Sequence, residues 1–175
     1  NLQDTKFPSM DITGIGEGKD GTLWIGTRKQ GVYNAIVSSN LTFEKKGLKN
    51  LTTQTDKLVS DNIGAICIDD NGLMWMGSQD GDVFTYDPQT NKVENLSDMF
   101  DMLEEGIFNI ITDQLGHIWI STNKRVIEYD PKNGGIMDYS TMDDVMVNSF
   151  MPNSYLKTRS GKILYGGNKG ISVFT

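Results

Sequence analysis

The sequence is poor in the residues from which catalytic and metal sites are most often built. Its 175 residues hold one histidine, His117, and one cysteine, Cys67. A single cysteine permits no disulfide within the chain, and its setting, Ile66-Cys67-Ile68, reads as a buried thiol. One histidine and one distant cysteine form no recognisable metal motif. His117 stands beside a turn glycine, where an exposed start of a strand is expected, so neither a metal nor a cofactor is expected. No Gly-x-Ser-x-Gly elbow and no phosphate loop occurs. No apolar run approaches the roughly 18 residues of a membrane span, and Asn1 opens no charged-then-apolar leader. Cations are outnumbered, 16 Lys and Arg against 23 Asp and Glu. The net charge of −7 repels both a phosphate backbone and an anionic membrane surface. Nucleic acid and membrane contact are therefore excluded as partners of this segment.

Glycine, by contrast, is abundant. Nineteen glycines stand beside only four prolines, which places them in turns rather than in a disordered low-complexity tract. Aligned on glycine, the chain shows four copies of one pattern: Gly21-Thr22-Leu23-Trp24-Ile25-Gly26-Thr27, Gly72-Leu73-Met74-Trp75-Met76-Gly77-Ser78, Gly116-His117-Ile118-Trp119-Ile120-Ser121-Thr122 and Gly161-Lys162-Ile163-Leu164-Tyr165-Gly166-Gly167. The leading glycines are 51, 44 and 45 residues apart, a period that fits a four-stranded propeller blade. Each copy has a β-rich segment upstream (12–15, 63–68, 107–111, 155–156) and a third strand downstream (31–33, 83–86, 126–129, 170–174). A weaker fourth strand follows at 41–45, 92–96 and 136–139. Only Ser97 to Gly106 carries helical signals, a capping serine and a terminal glycine.

The predicted fold is all-β: a partial β-propeller of about four four-stranded antiparallel blades, the last incomplete. The blades fall near 10–47, 61–97, 106–140 and 153–175 of a single segment spanning 1–175. A lone four-stranded sheet leaves two apolar faces uncovered, and stacking blades around an axis covers each with its neighbour. Trp24, Trp75 and Trp119 share one position, so they should fill equivalent layers between blades, each burying about 150–250 Å². Gly26, Gly77 and Gly166 follow two residues later and should leave room for the next blade. Because the chain ends on a third strand, it is expected to be an excised part of a larger propeller. Its open end faces are then expected to pair with a second copy.

At these residues the chain resembles the two-component regulator propeller repeat, whose pattern is Asp-x-x-Gly, an aliphatic residue, Trp-Ile-Gly-Thr, then Gly-Leu-x-x-Tyr-Asp-Pro. Lys19 to Thr27 and Asp61 to Pro88 follow it closely; Gln114-Leu115-Gly116 and Ser121 depart from it, and the fourth copy lacks the tryptophan. The resemblance implies the periplasmic sensor region of a Bacteroidetes-type hybrid histidine kinase, part of an inner-membrane protein. It also implies oligosaccharides or polysaccharide breakdown products as the signal, with no catalysis in this segment.

Geometry indicates where a ligand would sit. Turns between second and third strands share one end of a propeller with the blade-to-blade connections. Those turns carry Arg28, Lys29 and Gln30; Gln79 and Asp80; Asn123, Lys124 and Arg125; Asn168 and Lys169, with Asp61 and Asn62 on a connection. Amide, carboxylate and cationic groups together suit hydroxyl-rich or anionic sugars. The alternatives are a glycan-directed propeller enzyme, sialidase-like or lyase-like, and a protein-interaction scaffold. Asp70 to Trp75 resembles a sialidase Asp-box, but Arg28, Arg125 and Arg159 fall at opposite ends of the blades and cannot form an arginine triad. Acidic pairs such as Asp69-Asp70 and Asp143-Asp144 read as solvated turns.

Overall fold

The computed structural model describes residues 11–36, 49–100, 105–139 and 149–175. Among the described residues, fifteen strands form four antiparallel sheets. The first sheet comprises β1 (Ile12–Glu17), β2 (Thr22–Thr27), β3 (Val32–Ile36) and β4 (Lys49–Leu51). The second comprises β5 (Ile63–Ile68), β6 (Met74–Ser78), β7 (Val83–Asp87) and β8 (Lys92–Asn95). In the third lie β9 (Asn109–Thr112), β10 (Ile118–Ser121), β11 (Val126–Asp130) and β12 (Gly135–Asp138). The fourth has three strands, β13 (Phe150–Lys157), β14 (Ile163–Gly167) and β15 (Gly170–Phe174). Every sheet is a simple meander, and the first strands β1, β5, β9 and β13 touch in succession, as inner strands around an axis do. This is the expected partial propeller.

The repeat glycine explains why each copy turns where it does. Gly21, Gly72, Gly116 and Gly161 all have φ between 81° and 89°, a region that L side chains rarely adopt. Each closes the hairpin between the first and second strands of its blade. There the residue three positions ahead donates its N–H to the carbonyl four residues on, as in Asp69 to Leu73 and Asp113 to His117.

The core lies in three seams between the four blades. Each seam is built alike: the tryptophan of one blade packs on an aromatic residue from the third strand of the next. Trp24 meets Tyr86 at 5.8 Å between ring centroids, Trp75 meets Tyr129 at 5.9 Å, and Trp119 meets Phe174 at 5.4 Å. All three indoles are 5% exposed or less. The three tryptophans thus occupy equivalent layers.

The glycines two residues later divide. A Cβ at Gly26 would meet Ile63 and Ile66 of the second blade at 3.0 Å, and one at Gly77 would overlap Ile107, which leads into the third blade. Gly166 differs: its Cβ would strike Ser154 of its own blade, because no described blade follows the fourth.

Some boundaries shift. The first blade ends on Lys49–Leu51; the expected strand at 41–45 lies outside the described residues. Strand β13 begins at Phe150 rather than Tyr155 and carries an irregularity in register before Tyr155. Between Ser97 and Gly106 a 3-10 turn covers Ser97–Phe100, where Phe100 buries itself against Tyr129; residues 101–104 lie outside the described set. Among the described residues no helix is long and apolar enough to cross a membrane.

Cys67 sits in β5 opposite Trp75 and is half-buried, less enclosed than its apolar neighbours suggest. Burial still pushes the thiol from 9.0 to about 11, leaving about a hundredfold less thiolate at neutral pH. Its reaction with a disulfide reagent at pH 7.5 should be slower by about that factor in the native protein than in urea. Equal rates would mean an unshielded thiol.

Candidate functional site

The expected recognition face exists as a structural unit. The turn after β2 bonds to the connection into the second blade, with Gly31 N–H donating to the Asp61 carbonyl at 2.9 Å. Gln79 N–H donates to the Asn62 carbonyl, and Phe150 N–H to that of Asn123. Second-to-third-strand turns and blade connections therefore do share one end.

Several side chains expected to face a ligand already have partners in the protein. Lys124 pairs with Glu105 at 2.8 Å, and that hydrogen bond holds the Glu105 carboxyl below its usual range. Arg125 pairs with Asp138 at 3.4 Å. The Ser149 hydroxyl donates to the Asn123 side-chain oxygen, and Ser60 donates to Asp80. The Asp61 carboxylate accepts two bonds from Thr53. Arg28, Lys29, Asn168 and Lys169 are exposed, with Lys29 in a left-handed conformation at φ 69°, and Gln79 is half-buried. Arg159 lies in the turn between β13 and β14, at the opposite end from Arg28 and Arg125, so no arginine triad forms.

The opposite end holds a more organised group. In the second blade Asp69 is the centre of its turn: Oδ1 accepts the N–H groups of Asn71 and Leu73, and Oδ2 accepts the Trp75 indole N–H at 3.2 Å. Asp69 rather than Asp70 is therefore the carboxylate of the Asp-box-like stretch, and it is no solvated acid. Asp143-Asp144 lies outside the described residues. Asp113 repeats the role in the third blade, taking the N–H groups of Leu115 and His117 and the Trp119 indole at 3.1 Å. Burial raises its carboxyl, but those donors outweigh it and hold Asp113 below the usual carboxylate range.

Around Asp113 the third blade adds groups that the others lack. His117 is half-buried rather than exposed. Its Nδ1 lies 2.6 Å from Glu128 Oε1 and 3.4 Å from Asp113 Oδ2, and its Nε2 lies 3.8 Å from Asp130 Oδ2. Strand pairing explains the convergence. Glu128 stands opposite Trp119 in the register of β10 and β11, and alternation puts His117, Trp119, Glu128 and Asp130 on one face. The Tyr139 hydroxyl donates to Glu128 Oε2 at 2.6 Å, while its ring stacks on Trp119. Burial and the bond to Glu128 push that hydroxyl up to about 12, so it remains a donor at any ordinary pH. Lys132 sits nearby on the Leu115 carbonyl.

Sequence reasoning set His117 aside because one imidazole is not a cluster and its carboxylates come from another strand. A comparison of copies carries the signal. Where the third copy has His117 and Glu128, the others have Thr22 and Asn34, Leu73 and Thr85, Lys162 and Val173.

Successive four-stranded sheets with tryptophan seams define a β-propeller. Residues 6–29 and 57–80, in the first two copies, match the two component regulator propeller family. No protein of curated function shows a significant sequence match. The chain superposes on extracellular domains of two B. thetaiotaomicron proteins assigned as hybrid two component systems, with TM-scores of 0.75 and 0.74 and 21% identity. All of this chain is covered, but only 23% and 22% of theirs, so it spans less than a quarter of their length. A catalytically inactive virginiamycin B lyase from Staphylococcus aureus, solved with quinupristin, matches at a TM-score of 0.66 and 12% identity, covering all of this chain and 58% of the lyase. At such identities the likeness establishes the fold.

Proposed function

We propose that this chain is a non-catalytic extracytoplasmic sensor segment of a hybrid two-component system, periplasmic in location and forming part of a longer propeller. The observation that carries it is the pair of regulator-propeller repeats, supported by likeness of the whole chain to extracellular domains of such systems. Oligosaccharides are the proposed signal, received on the end formed by the second-to-third-strand turns, where amide and charged side chains gather. A propeller enzyme is disfavoured because the single imidazole lies at the other end, away from those turns.

Titrating the purified segment with a panel of polysaccharide fragments tests this. At least one glycan should bind, and Lys124→Ala with Arg125→Ala should weaken it about tenfold or more, on the order of 1.4 kcal/mol. Failure of every glycan, or unchanged binding by the variant, would count against this face.

Self-association is the second element of the proposal. Leu156 and Val173 flank Leu164 in register on the fourth blade, and Leu156, Val173 and nearby Ile171 are exposed. This aliphatic face is the one that carries tryptophan, and is covered, in the other blades. Light scattering should report a dimer that Leu164→Lys converts to monomer; a wild-type monomer at all concentrations would remove it.

A further inference from the structure

We propose that Asp113, His117 and Glu128 form a binding site for a first-row divalent metal ion, zinc above all, at the end of the third blade remote from the proposed sugar face. Each residue offers one ligand atom, and the three lie within 4.8 Å of one another. Separations of 2.6 and 3.4 Å from His117 Nδ1 bracket the roughly 3.3 Å expected between ligands held about 2.0–2.1 Å from one tetrahedral ion. Replacing the Glu128–His117 contact with two metal bonds widens that separation from 2.6 Å to about 3.3 Å.

Three features make this more than a group of acids. His117 Nδ1 faces one oxygen of each carboxylate, so the proton that joins Nδ1 to Glu128 stands where a metal ion would bridge all three groups. Three carboxylates, those of Asp113, Glu128 and Asp130, surround one imidazole, an excess of anionic ligand atoms that a divalent ion offsets. The ligands are also held from outside: Trp119 fixes Asp113, Tyr139 fixes Glu128, and Asp130 faces Nε2, which is the outer layer that orients metal ligands.

The repeat supplies its own control. Asp69 performs the turn and indole roles of Asp113 with Leu73 and Thr85 where His117 and Glu128 stand in the third blade. The fold therefore does not require His117 and Glu128. A mixed nitrogen and oxygen set favours zinc or its neighbours over calcium and magnesium, which prefer oxygen alone.

Calorimetric titration of the chelator-stripped chain with zinc chloride should show one saturable site and a zinc-dependent rise in Tm. His117→Leu and Glu128→Thr, which install the second blade's residues, should each weaken binding about tenfold or more, with circular dichroism reporting that each variant folds. If one variant fails to fold, the other decides. Absence of saturable zinc binding by the wild type overturns the site. So does wild-type affinity in a folded variant, or calcium binding as tight as zinc that survives His117→Leu.

Discussion

Replacing Trp75 with alanine is expected to cost about 3–5 kcal/mol, the range for truncating a buried aromatic side chain. Trp75 is 4% exposed and sits among Ala65, Val83, Ile107 and Ile118 at the seam of the second and third blades. The loss has two sources. A cavity opens against Tyr129, and Asp69 Oδ2 loses its indole donor. Against a domain stability of about 5–15 kcal/mol, that leaves a marginal fold. Leu164→Ala, at the same position in the fourth blade, should cost about 1 kcal/mol or less in the monomer, at protein concentrations below self-association, because no described blade packs on it. Urea unfolding of both variants checks the pair. Equal costs would mean that the tryptophans do not act as seam residues.

The second large effect comes from adding atoms. A methyl at residue 77 would overlap Cβ and Cγ2 of Ile107, atoms too near the backbone to swing aside. Gly77→Ala should therefore cost about 1–3 kcal/mol. Gly26→Ala should cost less, since its Cβ would touch two methyl groups at 3.0 Å. Ser121, which fills this position in the third blade and accepts a bond from Asn109, shows that a small side chain is accommodated there in that blade. Urea midpoints in the reverse order would contradict the tight approach at Ile107.

The architecture was legible because its determinants recur. Glycine at a positive φ, tryptophan two strand positions inward and a third-strand aromatic residue repeat in sequence as they do in space. Where a feature occurs once, local pattern gave no handle. The closing strand of the first blade lies at Lys49–Leu51, and no turn motif in the sequence marks its start. The His117 group depends on strand pairing that brings residues 117, 128 and 130 to one face. The roles of Asp69 and Asp113 are a middle case: each stands six residues before its tryptophan, a spacing visible in the chain but silent about the hydrogen bonds. On the expected sugar face, turn composition identified the end of the blades. It could not reveal that Glu105 and Asp138 already engage Lys124 and Arg125, because those acids come from different parts of the chain.

Every seam runs the same way, indole from the earlier blade and aromatic socket from the later one. The arc consequently has a direction, as a row of interlocking cups does, and successive sheets join head to tail rather than face to matching face. Such joints either close into a ring or continue without limit, according to the rotation per step. With Leu164 and Val173 where Trp119 and Glu128 stand one blade earlier, the fourth blade presents no indole on that face, so a joint made there would lack the ring contact that the three described seams share.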